Sequence, residues 1–250
     1  FNFMLKHPNA NLKDEQELLS IMKVDESLSL TTQKSVLVAF KVYLQSLKPN
    51  KKMNKLEKYI KKLGEQYLEN LNTKNEKEKK NWLELETLLK LVDKKFQNLN
   101  NILKKDKSKD KKESIEYMKH LLLMFLYTHQ PPRRNNDYRQ MRFLKLKEYE
   151  KLENYDDNYL IYDLKNDNFE FIFFHYKTAK LYGKQEVKVD NENDNFKNLL
   201  NQYIKYKLKY TNNNILFTNN QNKMYSNSKF TELFKETFKD TGKNLTSTIL

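Results

Sequence analysis

The stretch NYLIYDLKNDNFEFIFFHYKTAKLYGKQEVKV, residues 158–189, decides the fold class. Residues 158–164 and 169–176 are runs of β-branched and aromatic side chains too short for helices. Between them, Lys165-Asn166-Asp167-Asn168 is polar and turn-forming, the signature of a hairpin. Gly183 then introduces a third candidate strand, 185–189. Three short antiparallel strands are expected. On both sides the apolar period lengthens to that of helices, at 82–99 and 115–127 before the strands and at 196–208 and 229–238 after them. Strands collected in one block among helices predict an α+β domain and not a doubly wound sheet.

Toward the N-terminus everything reads as helix. Leu18, Leu19, Met22 and Val24 mark a short one. A longer one, capped by Ser29 or Thr31, carries Val36, Leu37, Phe40, Val42, Tyr43, Leu44 and Leu47, and Pro49 stops it. A third spans 53–71 with lysines on its outer face. At 72–81 the apolar residues vanish into NTKNEKEKKN, which reads as a linker and not an element. The expected organisation is a small helical domain at 1–72, a linker at 73–81 and a second domain at 82–250.

Composition removes several function classes. The 250 residues carry 47 basic and 33 acidic side chains, a net +14, which favours an anionic partner. Zero cysteines exclude disulfides and thiolate metal sites, and four scattered histidines offer no H-x-x-x-H pair. The longest apolar run, 121–127, is far short of the roughly 20 residues a spanning helix needs. With only Gly64, Gly183 and Gly242, no glycine-rich phosphate loop is available, so nucleotide-triphosphate chemistry of the usual kinds is not expected.

Arginine usage is more telling. The chain has four arginines against 43 lysines, and all four (Arg133, Arg134, Arg139, Arg142) fall within ten residues. A composition rich in Lys, Asn, Ile, Tyr and Phe is that of an A+T-rich coding sequence, in which dispensable arginines become lysines. What lysine cannot replace is a planar, permanently charged fork that grips phosphate or carboxylate oxygens in pairs. Two readings of the cluster follow: a phosphate-gripping site, or a solvated basic turn with a structural Arg–Asp pair. Aromatics such as Tyr43, Tyr59, Phe96 and Phe171 lie at core spacing, so core packing is expected of them and not base stacking.

The sequence resembles the tyrosine recombinases, the phage-integrase type of DNA breaking and joining enzyme, and in particular those of large DNA viruses of protists and their virophages. One stretch carrying the resemblance is LYTHQPPRRNNDYRQM, 126–141, where Arg134 is followed at +3 by Asp137, at +4 by Tyr138 and at +7 by Met141. This is similar to the family's first arginine box. A second is HYKTAKLYG, 175–183, on the turn between the second and third expected strands, where Lys177 matches the family's lysine. The order of a helical domain, a linker and a helix opening at Trp82 is a third. The fourth is TGKNLTSTIL, 241–250, which resembles the approach to a second box, H-x-x-R.

The resemblance implies a helical core-binding domain, a catalytic domain with a three-stranded antiparallel sheet, and site-specific recombination or integration through a 3′-phosphotyrosyl intermediate. It implies double-stranded DNA as substrate, a homotetramer, no metal, no cofactor and no nucleotide. Carried over residue by residue, Arg134 clamps the scissile phosphate, Asp137 orients its guanidinium, and Lys177 is the general acid for the departing 5′ oxygen. Thr248 stands where the box histidine is usual and can still donate to a phosphate oxygen. The second arginine would be residue 251 and the nucleophilic tyrosine would lie further on, so the fragment is expected to bind DNA without cutting it. Arg133 remains the alternative clamp and Lys180 the alternative acid. His175 reads as a strand histidine and His129 as a helix end. The competing function is a non-enzymatic basic DNA-binding or virion-associated structural protein.

Overall fold

A computed structural model describes residues 15–24, 28–47, 49, 53–70, 76–109, 111–190 and 194–245. The chain divides into two compact units, Phe1–Lys77 and Glu78–Leu250.

In the first unit, α1 (Glu15–Val24), α2 (Leu30–Leu47) and α3 (Asn54–Glu69) bury Leu19, Leu37, Leu44, Met53, Leu56 and Leu63 as one core. Ser29 caps α2: its Oγ accepts the backbone N–H of Thr32 at 3.3 Å. Lys41 on α2 meets Glu57 on α3 at 2.8 Å. Tyr43, expected in the core, is exposed, as is Val42, because α2 buries only the narrow stripe containing Leu37 and Leu44.

The stretch read as a linker contains α4 (Glu76–Asn81), and the division between the units falls inside it. Its EKEKKN sequence lacks apolar residues but consists largely of good helix formers, with Glu76 and Lys80 spaced i, i+4. Polarity alone does not prevent a helix. Trp82 lies ahead of the next helix, α5 (Leu85–Lys105), and its indole N–H donates to Glu84 at 2.9 Å.

The second unit is built around α6 (Lys112–Thr128), whose residues from Leu121 to Tyr127 are all buried. A helix apolar on every side has to be enclosed, and α5, α10 (Asp194–Tyr210) and α11 (Asn227–Thr237) enclose it. Asp106 ends α5 and caps α6. Its carboxylate accepts Ser114 N–H at 2.9 Å and Ser114 Oγ–H at 2.7 Å, with Ser108 on the other oxygen.

After α6 come α7 (Asn135–Arg139), β1 (Arg142–Lys145) and α8 (Leu146–Tyr149). They are followed by β2 (Tyr159–Asp163), β3 (Asn168–Phe173), α9 (Ala179–Tyr182) and β4 (Gln185–Lys188). The sheet has four strands in the order β1-β2-β3-β4, and it is mixed. The expected three antiparallel strands correspond to β2, β3 and β4, with Tyr159 opposite Ile172 and Phe171 opposite Val187. The additional strand, β1, runs parallel to β2, pairing Phe143 with Leu160. Its sequence, RFLK, has one fully inward position, so no alternation announces it. Its outer edge is covered: Phe143 N–H donates to Asn214 and Leu216 N–H donates to Met141, both at 2.8 Å.

One sheet face, with Leu160, Tyr162, Phe169, Phe171 and Phe173, joins the main core. The other carries Tyr159, Ile161 and Ile172, covered by Leu144, Tyr149, Leu152 and Phe174. The two sets alternate along each strand, as the pleat requires. Among the described residues, no helix is long and apolar enough to cross a membrane.

Candidate functional site

The short helix α7 presents the arginine cluster, and burial of its inner side fixes its orientation. Tyr138 and Met141, at +4 and +7 from Arg134, are fully buried. Tyr138 packs edge-on against Tyr127 and Phe173, and its hydroxyl accepts from Gln130 at 3.0 Å. Burial drives the Tyr138 phenol far above its ordinary value, so it stays protonated. Arg134, the N-cap residue of α7, is therefore turned outward.

The four arginines have separate fates. Arg142 pairs with Asp157 at 2.5 Å and donates to Asn214 at 2.9 Å, binding the start of β1 to neighbouring loops. Arg139 donates to the Tyr225 carbonyl at 2.9 Å and to Asn136. Arg133 lies over the Phe173 ring, 3.7 Å from its centroid, and donates to Gln185 at 2.5 Å. Arg134 is exposed, and its guanidinium makes no hydrogen bond or ion pair among the described residues. The structural reading holds for Arg142, which pairs with Asp157, and Arg134 is left as an exposed fork without a partner among the described residues.

Lys177 and Lys180 lie on the loop between β3 and β4, both exposed and both without a hydrogen bond or ion pair among the described residues. Two adjoining clefts bring these groups together. One, of ≈ 650 Å³, is lined by Arg134, Asn136, Asp137, Phe174, His175, Tyr176, Lys177, Ala179 and Lys180. The other, of ≈ 340 Å³, is lined by Arg133 and Arg134 with Asp137, Tyr176, Lys177, Thr178, Tyr182 and Gln185. A third cleft, over β2 and β3, exposes Asp163, Glu170 and Asp190 around Lys188, which is the wrong charge for an anion. Of the residues selected from sequence, Arg133, Arg134, Asp137, Lys177 and Lys180 thus share one region, and Thr248 lies outside the described residues.

Asp137 does not orient the Arg134 guanidinium by an ion pair. It is buried, and its N–H donates to the Arg134 carbonyl at 2.9 Å, closing the first turn of α7. Desolvation raises its pKa, while the Arg133 charge, the Arg134 backbone and the Arg134 charge oppose the rise. In this arrangement it is a buried carboxyl within reach of the charge of two guanidiniums.

Sequence reasoning missed Asn158. Buried at 3% exposure, it donates to the carbonyls of Asp137 at 2.9 Å and His175 at 3.0 Å. Its Oδ1 accepts the N–H groups of Phe174 at 2.9 Å and His175 at 2.8 Å. One amide thereby joins the arginine turn to the root of the lysine loop. No sequence signal marks it, since it is one asparagine in a chain rich in them. His175 is exposed and its Nε2 lies 2.8 Å from the Tyr155 carbonyl. His129 ends α6, its ring tilted at 32° against Phe125 with centroids 4.4 Å apart, and burial lowers its pKa.

Compared with known proteins, the chain matches no family model, no curated protein and no solved structure.

Proposed function

We propose that this chain binds duplex DNA and belongs to a site-specific recombinase of the tyrosine type, with Arg134 gripping the scissile phosphate and Lys177 protonating the departing oxygen. The observation that supports this reading is the shared cleft: Arg134 and Lys177, far apart in sequence, line it together with the buried Asp137, and neither cation has an ion pair among the described residues. Phosphoryl transfer needs positive charge on the non-bridging oxygens and a proton for the leaving oxygen. An arginine fork supplies the first and a lysine ammonium the second.

Between the two arginines, Arg134 is the better clamp because Arg133 is already committed to Phe173 and Gln185. Arg133 supports the site from behind. Lys180 borders the same cleft and shares the phosphate field, leaving Lys177 as the acid by its place in the sequence pattern. This reading assigns the roles of nucleophilic tyrosine and second arginine to none of the described residues. The net charge of +14 supplies sequence-independent attraction to the backbone, with affinity falling steeply as salt rises.

The test is trapping of a covalent protein–DNA adduct on a nicked duplex by the protein translated from the whole reading frame. Arg134→Ala is expected to abolish the adduct and keep duplex affinity within a few-fold. Lys177→Ala is expected to lose cleavage of ordinary DNA and regain it on a 5′-bridging phosphorothioate, whose thiolate leaves without an acid. A protein that forms no adduct, and in which Arg134→Ala only weakens binding, is a non-enzymatic DNA-binding protein instead.

A further inference from the structure

The loop between β3 and β4, residues 174–184, holds two large apolar side chains in solvent. Leu181 is 75% exposed and Tyr182 64% exposed, beside the cleft that Arg134 lines. An apolar pair on a loose loop would need no explanation, but this loop is internally bonded. Ala179 N–H donates to Tyr176 O at 3.0 Å, Leu181 N–H to Thr178 O at 3.0 Å, and Gly183 N–H to Ala179 O at 2.8 Å. The Tyr176 hydroxyl closes the loop on the Gly183 carbonyl at 2.7 Å. Gly183 itself has φ +66° and ψ −157°, a backbone state essentially reserved for glycine, so the turn that sets Leu181 and Tyr182 outward is built into the sequence.

The surrounding charge identifies the partner. The loop sequence FHYKTAKLYGK contains three lysines and no carboxylate, and among the described residues only Lys184 of the three is paired, with Glu186 at 2.5 Å. A second copy of a +14 chain would bring like charge onto this loop, whereas a nucleic-acid groove brings phosphates. Apolar side chains carried on an internally bonded turn between cations match the way minor-groove proteins pry open a base step while lysines hold the flanking phosphates. We propose that Leu181 and Tyr182 form a wedge that enters the DNA minor groove and partly unstacks a base step next to the phosphate held by Arg134. Flexible pyrimidine–purine steps such as TA are the sequences on which such a wedge acts most readily. This inference rests on the DNA-binding reading above and adds a mode of distortion to it.

The experiment uses the 250-residue chain and a duplex carrying 2-aminopurine at a central TA step, whose fluorescence rises on unstacking. Wild type is expected to bind and brighten the probe several-fold. The Leu181→Ser/Tyr182→Ser double variant is expected to lose the brightening and about tenfold in affinity, with the salt slope of binding unchanged because no phosphate contact is removed. Both side chains are exposed, so the variant is expected to melt with wild type. A variant that binds and brightens like wild type overturns the wedge. So does one whose only change is lost self-association in sedimentation without DNA, which would make the loop a contact between copies. If wild type binds no duplex at all, the DNA reading itself fails and the wedge with it.

Discussion

Asn158 donates an Nδ2 hydrogen to the backbone carbonyl of Asp137 at 2.9 Å, which makes the Arg134 turn and the Lys177 loop parts of one rigid piece. All four hydrogen-bonding positions of the amide are used, one on the arginine turn and three at the root of the lysine loop. The chemistry proposed for the cleft depends on two cations held at fixed spacing, and this side chain is where that spacing is set.

Replacing Asn158 with leucine, of similar size, leaves two carbonyls and two N–H groups without partners in a dry site. The expected loss is about 3 kcal/mol or more, read as a lower urea midpoint. Asn158→Asp keeps the two accepted bonds but turns both donated ones into repulsions, and should be similarly harmful. A midpoint unchanged from wild type in both variants would show that the junction is held by something else.

Arg133 and Arg134 should separate cleanly. Arg133→Ala removes the guanidinium from Phe173 and the bond to Gln185, for an expected cost of about 1–2 kcal/mol in thermal or urea unfolding. Arg134→Ala touches no protein partner, so stability should hold within about 0.5 kcal/mol while binding of a phosphate-bearing duplex weakens. The opposite pattern would reverse the assignment of clamp and support.

Lys207 is fully buried, with Nζ donating to Thr218 Oγ1 at 2.8 Å, and burial followed by the charge of Lys119 lowers its pKa to about 8. The folded form thus releases its proton more readily than the unfolded chain, whose lysine stays near 10.5. Between about pH 8 and pH 10.5 the unfolded state binds more protons, so this residue makes stability rise with pH across that window. Below it the full penalty for a buried ammonium, on the order of 3 kcal/mol, is in force. Lys207→Met should raise the melting temperature at pH 7 and remove that slope from a pH series of melts.

Asp106 gives a linkage of the same sign from the opposite cause, since here the folded state favours the charged form. Hydrogen bonds from Ser108 and Ser114 hold its carboxyl well below the usual carboxylate range, against the cost of burial. A depressed carboxylate stabilises the fold above its unfolded value near 3.8, and the contribution is lost as pH falls through the lower folded value. Asp106→Ala removes the cap on α6 and should cost about 1–2 kcal/mol at pH 7, with a smaller deficit in melts near pH 2.

Local sequence carried much of this architecture. Lys165 to Asn168 marked the hairpin because its polar residues fall between two runs that can only be strands, and Asp167 there adopts a positive φ of 48°. The helical pattern at 115–127, with its unbroken apolar run from Leu121 to Tyr127, signals a helix that burial must enclose on every side. In contrast, β1 was invisible: a four-residue strand paired in parallel is defined by its partner across the sheet, not by its own pattern. The linker expected at 73–81 hides the helix Glu76–Asn81, because helix propensity without an apolar stripe gives no periodic signal.

For the site, the sequence by itself determined which residue types are scarce and therefore worth following: four arginines in ten residues, and a lysine loop ended by one of three glycines. The distinction among the arginines came only from tertiary structure, since Arg133 found Phe173 and Gln185, Arg139 found Tyr225, and Arg142 found Asp157, all distant partners. Likewise, nothing local predicts that Asn158 will reach both Asp137 and His175. Periodicity and turn chemistry are properties of neighbours along the chain, and a single sequence records them directly. Which charge is neutralised and which is left free depends on what the fold places opposite it, and that is fixed only when the sheet and helices close on one another.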